Sequence, residues 1–226
     1  MTSDAAPSAI PERLIEATVG LLADEGPSAI KARAVAARAG MSSMVVYSHF
    51  GGVPELLNAV VDHGFSQLEE AFARVGASED PVVDLFSMAL TTLAYARTNP
   101  HLYDAMFGLS TRATYRPTPD KGVRRAGHSR AFHAAYAYVV DAATRLQAAG
   151  DLAITDPLAV AGALWSFVHG YITLELANHF DELEDPVRRV LVPMGVTFCT
   201  GLGADRDAAL AAHEVALARI PLPDRA

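Results

Sequence analysis

Residues 35–50, VAARAGMSSMVVYSHF, carry two apolar patches either side of Gly40-Met41-Ser42, and neither interval is long enough for a full globular helix. Two short helices joined by a tight, glycine-containing turn form a helix-turn-helix. Gly40 suits the left-handed conformation that ends the first helix. Ser42 suits the cap of the second, its oxygen accepting an orphan backbone N–H. Ala36 is small enough for the two helices to cross closely, with Val35, Val46 and Phe50 filling the space beneath. Ser43, Met44, Tyr47 and His49 are then left outside. A short, rigidly backed helix with a polar and aromatic outer face is what a DNA major groove accepts. Hydroxyl and imidazole groups suit phosphates, and Ser43 and Met44 near the helix start are placed to approach base edges. The same spacing also fits two packed helices of an ordinary all-α domain, so the turn alone leaves both readings open.

Working outward, no strand pattern is present, and three- and four-residue apolar spacing recurs throughout. Ile10, Leu14, Ala17 and Leu21 mark one face of a first helix with Pro11 in its first turn, stopped at Glu25-Gly26-Pro27. Short helices are expected at 31–39 and 43–50. A longer one follows from Pro54, carrying Leu56, Leu57, Val60, Val61, Phe65, Leu68 and Phe72. Beyond Pro81 the helices read as longer and more apolar, at about 81–97, 100–107, 123–149, 156–180, 186–202 and 204–219. The stretch 110–122, with two prolines, Arg112, Arg116 and Lys121, reads as an exposed loop. The fold class is all-α: a three-helix head with a helix-turn-helix over 1–52, and a larger helical body over 53–226 for ligand binding and dimerisation.

The run GPSAIKARAVAARAGMSSMVVYSHF, followed by GGVPELL, resembles the N-terminal domain of the TetR family of transcriptional regulators. The carriers are Val35-Ala36, Ala39-Gly40, Ser42, Tyr47-Ser48-His49-Phe50 and Glu55-Leu56-Leu57, within a family-type region of about 8–68. The resemblance implies that Lys31, Arg33, Ser42, Ser43, Met44, Tyr47 and His49 form the DNA-binding set. In it Ser43 and Met44 face bases, while Tyr47 and His49 hold phosphates. Lysine stands at 31 where the family usually has threonine, and can still meet a phosphate as a point charge. Valine stands at 53 where a phosphate-anchoring lysine is usual. Residues 1–60 hold four basic side chains, Arg13, Lys31, Arg33 and Arg38, and six acids, a net of 4 − 6 = −2, which implies modest nonspecific DNA affinity.

The whole chain, 226 residues with 18 Lys+Arg against 26 Asp+Glu, has a net charge of −8, which argues against bulk-charge coating of nucleic acid or membrane. A single cysteine, Cys199, and the absence of a signal-like start or an uninterrupted apolar span near the ~20 residues that cross a bilayer point to a cytoplasmic protein.

In the body, ALWSFVHGYITLEL at 163–176 is apolar nearly all round and needs cover on more than one side. The cover expected is a second copy of the chain. Helices 156–180 and 186–202 would form a four-helix bundle across a twofold axis, with Pro193 bending or breaking the last one. Trp165, His169 and Gly170 resemble the W-x-x-x-H-G pattern of one TetR subgroup. A twofold pair of heads reads an inverted repeat in double-stranded DNA. Phe86, Tyr103, Phe107, Phe132, Tyr136, Trp165 and His169 are the candidate ligand-binding set, fitting a small apolar or aromatic effector better than a sugar or nucleotide. No cofactor or metal is expected: Glu175 and His179 are four apart but lack a third ligand, and GHSRA at 127–131 lacks the strand and second glycine of a nucleophile elbow. The reading is a regulator, most often a repressor, not an enzyme. The alternative is a helical ligand-binding protein whose DNA recognition is weakened or lost.

Overall fold

A computed structural model describes residues 10–107, 129–150 and 155–225. The expected loop 110–122, with Arg112, Arg116 and Lys121, lies outside them, as do Arg124, Arg125 and the start of the 123–149 helix. Ten α-helices are present among the described residues, and no strand: α1 (Ile10–Glu25), α2 (Ala32–Arg38), α3 (Met44–Phe50), α4 (Val53–Val75), α5 (Pro81–Thr98), α6 (Pro100–Phe107), α7 (Arg130–Ala149), α8 (Pro157–Leu176), α9 (Val192–Gly201) and α10 (Arg206–Arg219). The all-α class is as the sequence implies.

The chain divides into two compact units, Met1–Ser66 with Asn99–His133, and Gln67–Thr98 with Ala134–Ala226. The first unit takes in α6, which packs on α1 although distant in sequence. The first unit is built on α1, whose Leu14, Leu21 and Leu22 are buried together with Val35, Ala36 and Val46. Ile10, assigned to the same face, is instead exposed at the helix start. Each fully buried aliphatic side chain contributes about 1.5–3 kcal/mol. Arg13 Nη2 donates to the Ala39 carbonyl at 2.8 Å, tying α1 to the end of α2. Farther along, Phe65 meets Phe107 and Phe132 edge-on at 5.5 and 5.3 Å, and Tyr103 lies 4.6 Å from Phe107.

In the second unit α5 is central, with eleven buried positions around its circumference from Val83 to Ala96. It packs on α10 and α8, and α9 packs on α10. The buried Asp84 carboxylate accepts from Arg145 Nη1 at 2.7 Å and from the Ser78 backbone N–H at 2.8 Å, with Arg219 3.6 Å away, so one carboxylate ties α5 to α7 and α10. At the other end of α5, the buried Arg97 pairs with the buried Glu175 of α8. Loss of one partner of such a pair costs about 3–5 kcal/mol, because the other is left uncompensated.

Two helix ends depart from expectation. α8 stops at Leu176 rather than near 180, because Asn178 adopts φ 60° and closes the helix. The His179 N–H donates to the Leu174 carbonyl and Asn178 N–H to the Glu175 carbonyl, the paired bonds of a Schellman end. Glu175 and His179 therefore do not share a helical face. Ahead of α9, residues Val187–Leu191 form a π-helical turn, and the Val192 N–H reaches back to the Val187 carbonyl. The wider turn accommodates Pro193, which has no N–H to donate and crowds the carbonyl four residues earlier. Although its apolar run is interrupted by Ser166 and Thr173, the 20-residue α8 is by length and composition apolar enough to cross a membrane, with a mean hydropathy of 1.3 over its most apolar 18 residues. A core or interface helix has the same composition, and Glu175 of α8 is engaged in a buried ion pair.

Candidate nucleic-acid interface and effector cavity

The turn between α2 and α3 closes as its sequence requires. Gly40 takes φ 70°, its N–H donates to the Ala37 carbonyl at 3.1 Å, and the Met41 N–H donates to the Ala36 carbonyl at 2.8 Å. That is a Schellman end with glycine at its left-handed position. The cap of α3 falls one residue later than expected. Ser43 occupies it with helical dihedrals, φ −61° and ψ −22°, and makes no side-chain capping bond, while Ser42 contributes only its carbonyl, to Val45 at 3.1 Å. Gly51, at φ 82°, ends α3 and turns the chain into α4.

α3 buries one stripe and presents the other. Val46 is fully buried; Met44 is 69% and Tyr47 52% exposed. Ser42 and His49 are also exposed, Ser43 is half-buried, and Phe50 is half-buried rather than a full core residue. Two of the head's four cations are already used. Arg13 holds Ala39, and Arg38 pairs with Asp24 at 2.7 Å, its guanidinium lying where a Gly20 side chain would be. Lys31, before the first residue of α2, and Arg33 within it are exposed and carry no ion pair among the described residues. Val53 opens α4 half-exposed, without a charge.

The structure separates the seven candidate ligand residues. Tyr103, Phe107 and Phe132 belong to the first unit and its aromatic cluster, whereas Phe86, Tyr136, Trp165 and His169 belong to the second. The second unit contains a cavity with about 40 Å³ of room for the centres of water molecules, lined among others by Phe72, Phe86, Val139, Trp165, Phe198 and His213. His169 also lines it, its ring 4.3 Å from that of Trp165. Tyr136 touches Trp165 edge-on at 5.1 Å. Burial pushes the His169 imidazole down to about 3 and lowers His213 as well, so both are neutral near pH 7. Burial also pushes the Cys199 thiol up to about 11, leaving it protonated and a poor nucleophile.

The sequence reading missed Gly195, Cys199 and His213. The available signal was Gly195 itself, since a glycine inside an apolar helical run marks a close approach. An alanine there would place its methyl 2.2 Å from His213 Nε2. Ser129, the serine of the GHSRA run, serves the helix that follows it, for its hydroxyl accepts the Phe132 N–H at 2.9 Å and caps α7.

Two family profiles meet on this architecture. One, described as bacterial regulatory proteins of the tetR family, matches residues 14–60, and the other, a tetracyclin repressor-like C-terminal domain, matches residues 85–194. The chain belongs to the TetR family. The helix-turn-helix lies wholly within the first match, and Trp165, His169 and Gly170 within the second. The HTH-type transcriptional regulators Rv1816 of Mycobacterium tuberculosis H37Rv and Mb1846 of Mycobacterium bovis are each 30% identical to this TetR-family chain over 155 residues, 66% of it. The match spans 62% of the length of those relatives. A solved Rhodococcus sp. RHA1 protein of unknown function superimposes with a TM-score of 0.72 at 24% identity, over 90% of this chain and 100% of that one. RolR in complex with resorcinol does so with a TM-score of 0.64 at 15% identity, over 96% of each chain. Both share the fold.

Proposed function

We propose that this TetR-family protein is a sequence-specific DNA-binding repressor, acting as a homodimer on an inverted repeat and controlled by a small apolar or aromatic effector in the second unit's cavity. The observation that carries the DNA reading is α3. It is held from behind by buried Val46, follows the Gly40 turn, is closed by Gly51, and offers Met44 and Tyr47 to solvent with His49 beside them. Ser43 and Met44 face base edges, Tyr47 and His49 face phosphates, and Lys31 and Arg33 supply the charge. Ser42 takes part through its exposed position in the turn.

Dimerisation rests on α8 and α9. Ala159, Ala163, Gly170 and Leu174 share the exposed stripe of α8, and Met194 of α9 is 38% exposed, an apolar surface that a second copy covers as a four-helix bundle. A twofold pair of recognition helices then meets half-sites separated by about one DNA turn, ~34–36 Å, or a multiple of it. An effector acts by binding one arrangement of the heads better than the other. The relatives' description as HTH-type transcriptional regulators supports the regulator reading, and resorcinol in RolR supports an aromatic effector. A cytoplasmic location goes with this role.

A second reading, a helical ligand-binding protein with weakened DNA recognition, is favoured by Val53 and by the internal use of Arg13 and Arg38. Anisotropy measurements on the DNA flanking the gene separate the two. Tyr47→Ala is expected to weaken all duplexes about equally, whereas Ser43→Ala and Met44→Ala change which bases are preferred. Operator binding by Tyr47→Ala as tight as wild type would remove the phosphate role.

A further inference from the structure

We infer that the second unit's cavity selects an uncharged, predominantly apolar molecule of about one ring in size; this rests on reading that cavity as the effector site. The size follows from its room for water centres, about 40 Å³, which corresponds to roughly three waters.

The charge preference follows from the wall. No Asp, Glu, Lys or Arg lines the cavity among the described residues. A carboxylate or ammonium entering it leaves water without meeting a counter-charge. Two of the polar side chains that line it, His213 and Thr92, are committed to backbone carbonyls. His213 Nδ1 lies 2.7 Å from the Ala209 carbonyl, to which the neutral ring donates its proton. Its Nε2 leads toward Gly195, where a Cβ would lie 2.2 Å from the nitrogen but 3.0 and 3.3 Å from the flanking ring carbons. The Thr92 hydroxyl donates to the Met88 carbonyl at 2.8 Å. Ring surface makes up much of the rest: Phe86 lies 4.2 Å from His213, Phe167 5.8 Å from Phe198, and Trp165 4.3 Å from His169. Such a wall meets a ring by edge and face contacts and contributes little to a second polar group.

The test is calorimetric titration of the full chain with toluene, phenol, benzoate and benzylamine, near-equal in size and differing in charge. Toluene or phenol is expected to bind, with benzoate and benzylammonium weaker by about 100-fold. Either ion binding within tenfold of phenol, or no binding by any of the four, overturns the inference. Ala89→Phe, on α5 at the cavity wall, is expected to abolish binding, with Leu164→Phe as the second filler if the first fails to fold. Phenol binding that survives a folded filler removes the cavity itself as the site. Ion binding that the filler abolishes leaves the site standing and sinks only the neutral, one-ring preference.

Discussion

Replacing Gly195 by alanine sets two well-characterised effects against each other. In an unobstructed helix interior, glycine to alanine stabilises by about 0.8–1.0 kcal/mol. At position 195 the new methyl would lie 2.2 Å from His213 Nε2 and 3.0 Å from its Cδ2. The imidazole is held on two sides. It is 2% exposed, held by the Ala209 carbonyl at 2.7 Å and faced by the Phe86 ring at 4.2 Å. Overpacking of this kind costs about 1–3 kcal/mol, so after the helix gain the expected outcome is a net loss of up to about 2 kcal/mol. Gly201→Ala is the control, because nothing lies within 4 Å of a Cβ there, and it is expected to gain a few tenths to about 1 kcal/mol. Urea unfolding at one fixed protomer concentration measures both, since a dimer's apparent stability depends on concentration. In a His213→Ala background the obstruction is gone, and Gly195→Ala is expected to change sign and stabilise. Equal stability of the two single alanine variants, or no sign change in the His213→Ala background, refutes the close approach of α9 and α10.

Acidification is expected to destabilise the fold through His169. Its folded pKa is depressed to about 3, so full stability is present above about pH 6.5 and is lost as pH falls from there, the unfolded chain taking up a proton that the folded chain refuses. At pH 5 the loss is about 2 kcal/mol relative to pH 7.5, and it is expected to be smaller by that amount in His169→Phe, as read by urea unfolding at the two pH values. Leu174→Glu, on the exposed stripe of α8, is expected to convert the dimer to a monomer in light scattering while the far-ultraviolet dichroism stays helical. A Leu174→Glu dimer would move the interface elsewhere.

What the residues announced in advance was local. Gly40 before an apolar restart allows one kind of turn, and the turn has the dihedral and the paired hydrogen bonds that glycine makes possible. Gly26-Pro27 ended α1 for equally local reasons. Ser42 and Ser43 are chemically alike as caps, so the position of the cap depended on packing beneath Val46, not on residue type. Asn178 was readable as a left-handed helix end but was hidden in a run whose apolar spacing continued to Phe180. The ligand set was legible only as a group of aromatic residues. Periodicity tells that Phe107 and Phe86 face inward; it does not tell which interior each faces, and they belong to different units. His213 and Gly195 became visible together, since neither means much without the 2.2 Å that separates one from the other's absent side chain.

Salt-titrated binding of the wild-type protein to the DNA flanking its gene, against a scrambled duplex of the same length, tests the central claim most directly. Two exposed cations on each recognition face, Lys31 and Arg33, without an ion pair among the described residues, make four per dimer. The logarithm of the affinity for an inverted repeat should then fall with the logarithm of salt at a slope of about −3 to −4. Equal affinity for the flanking and scrambled duplexes at every salt concentration would contradict it.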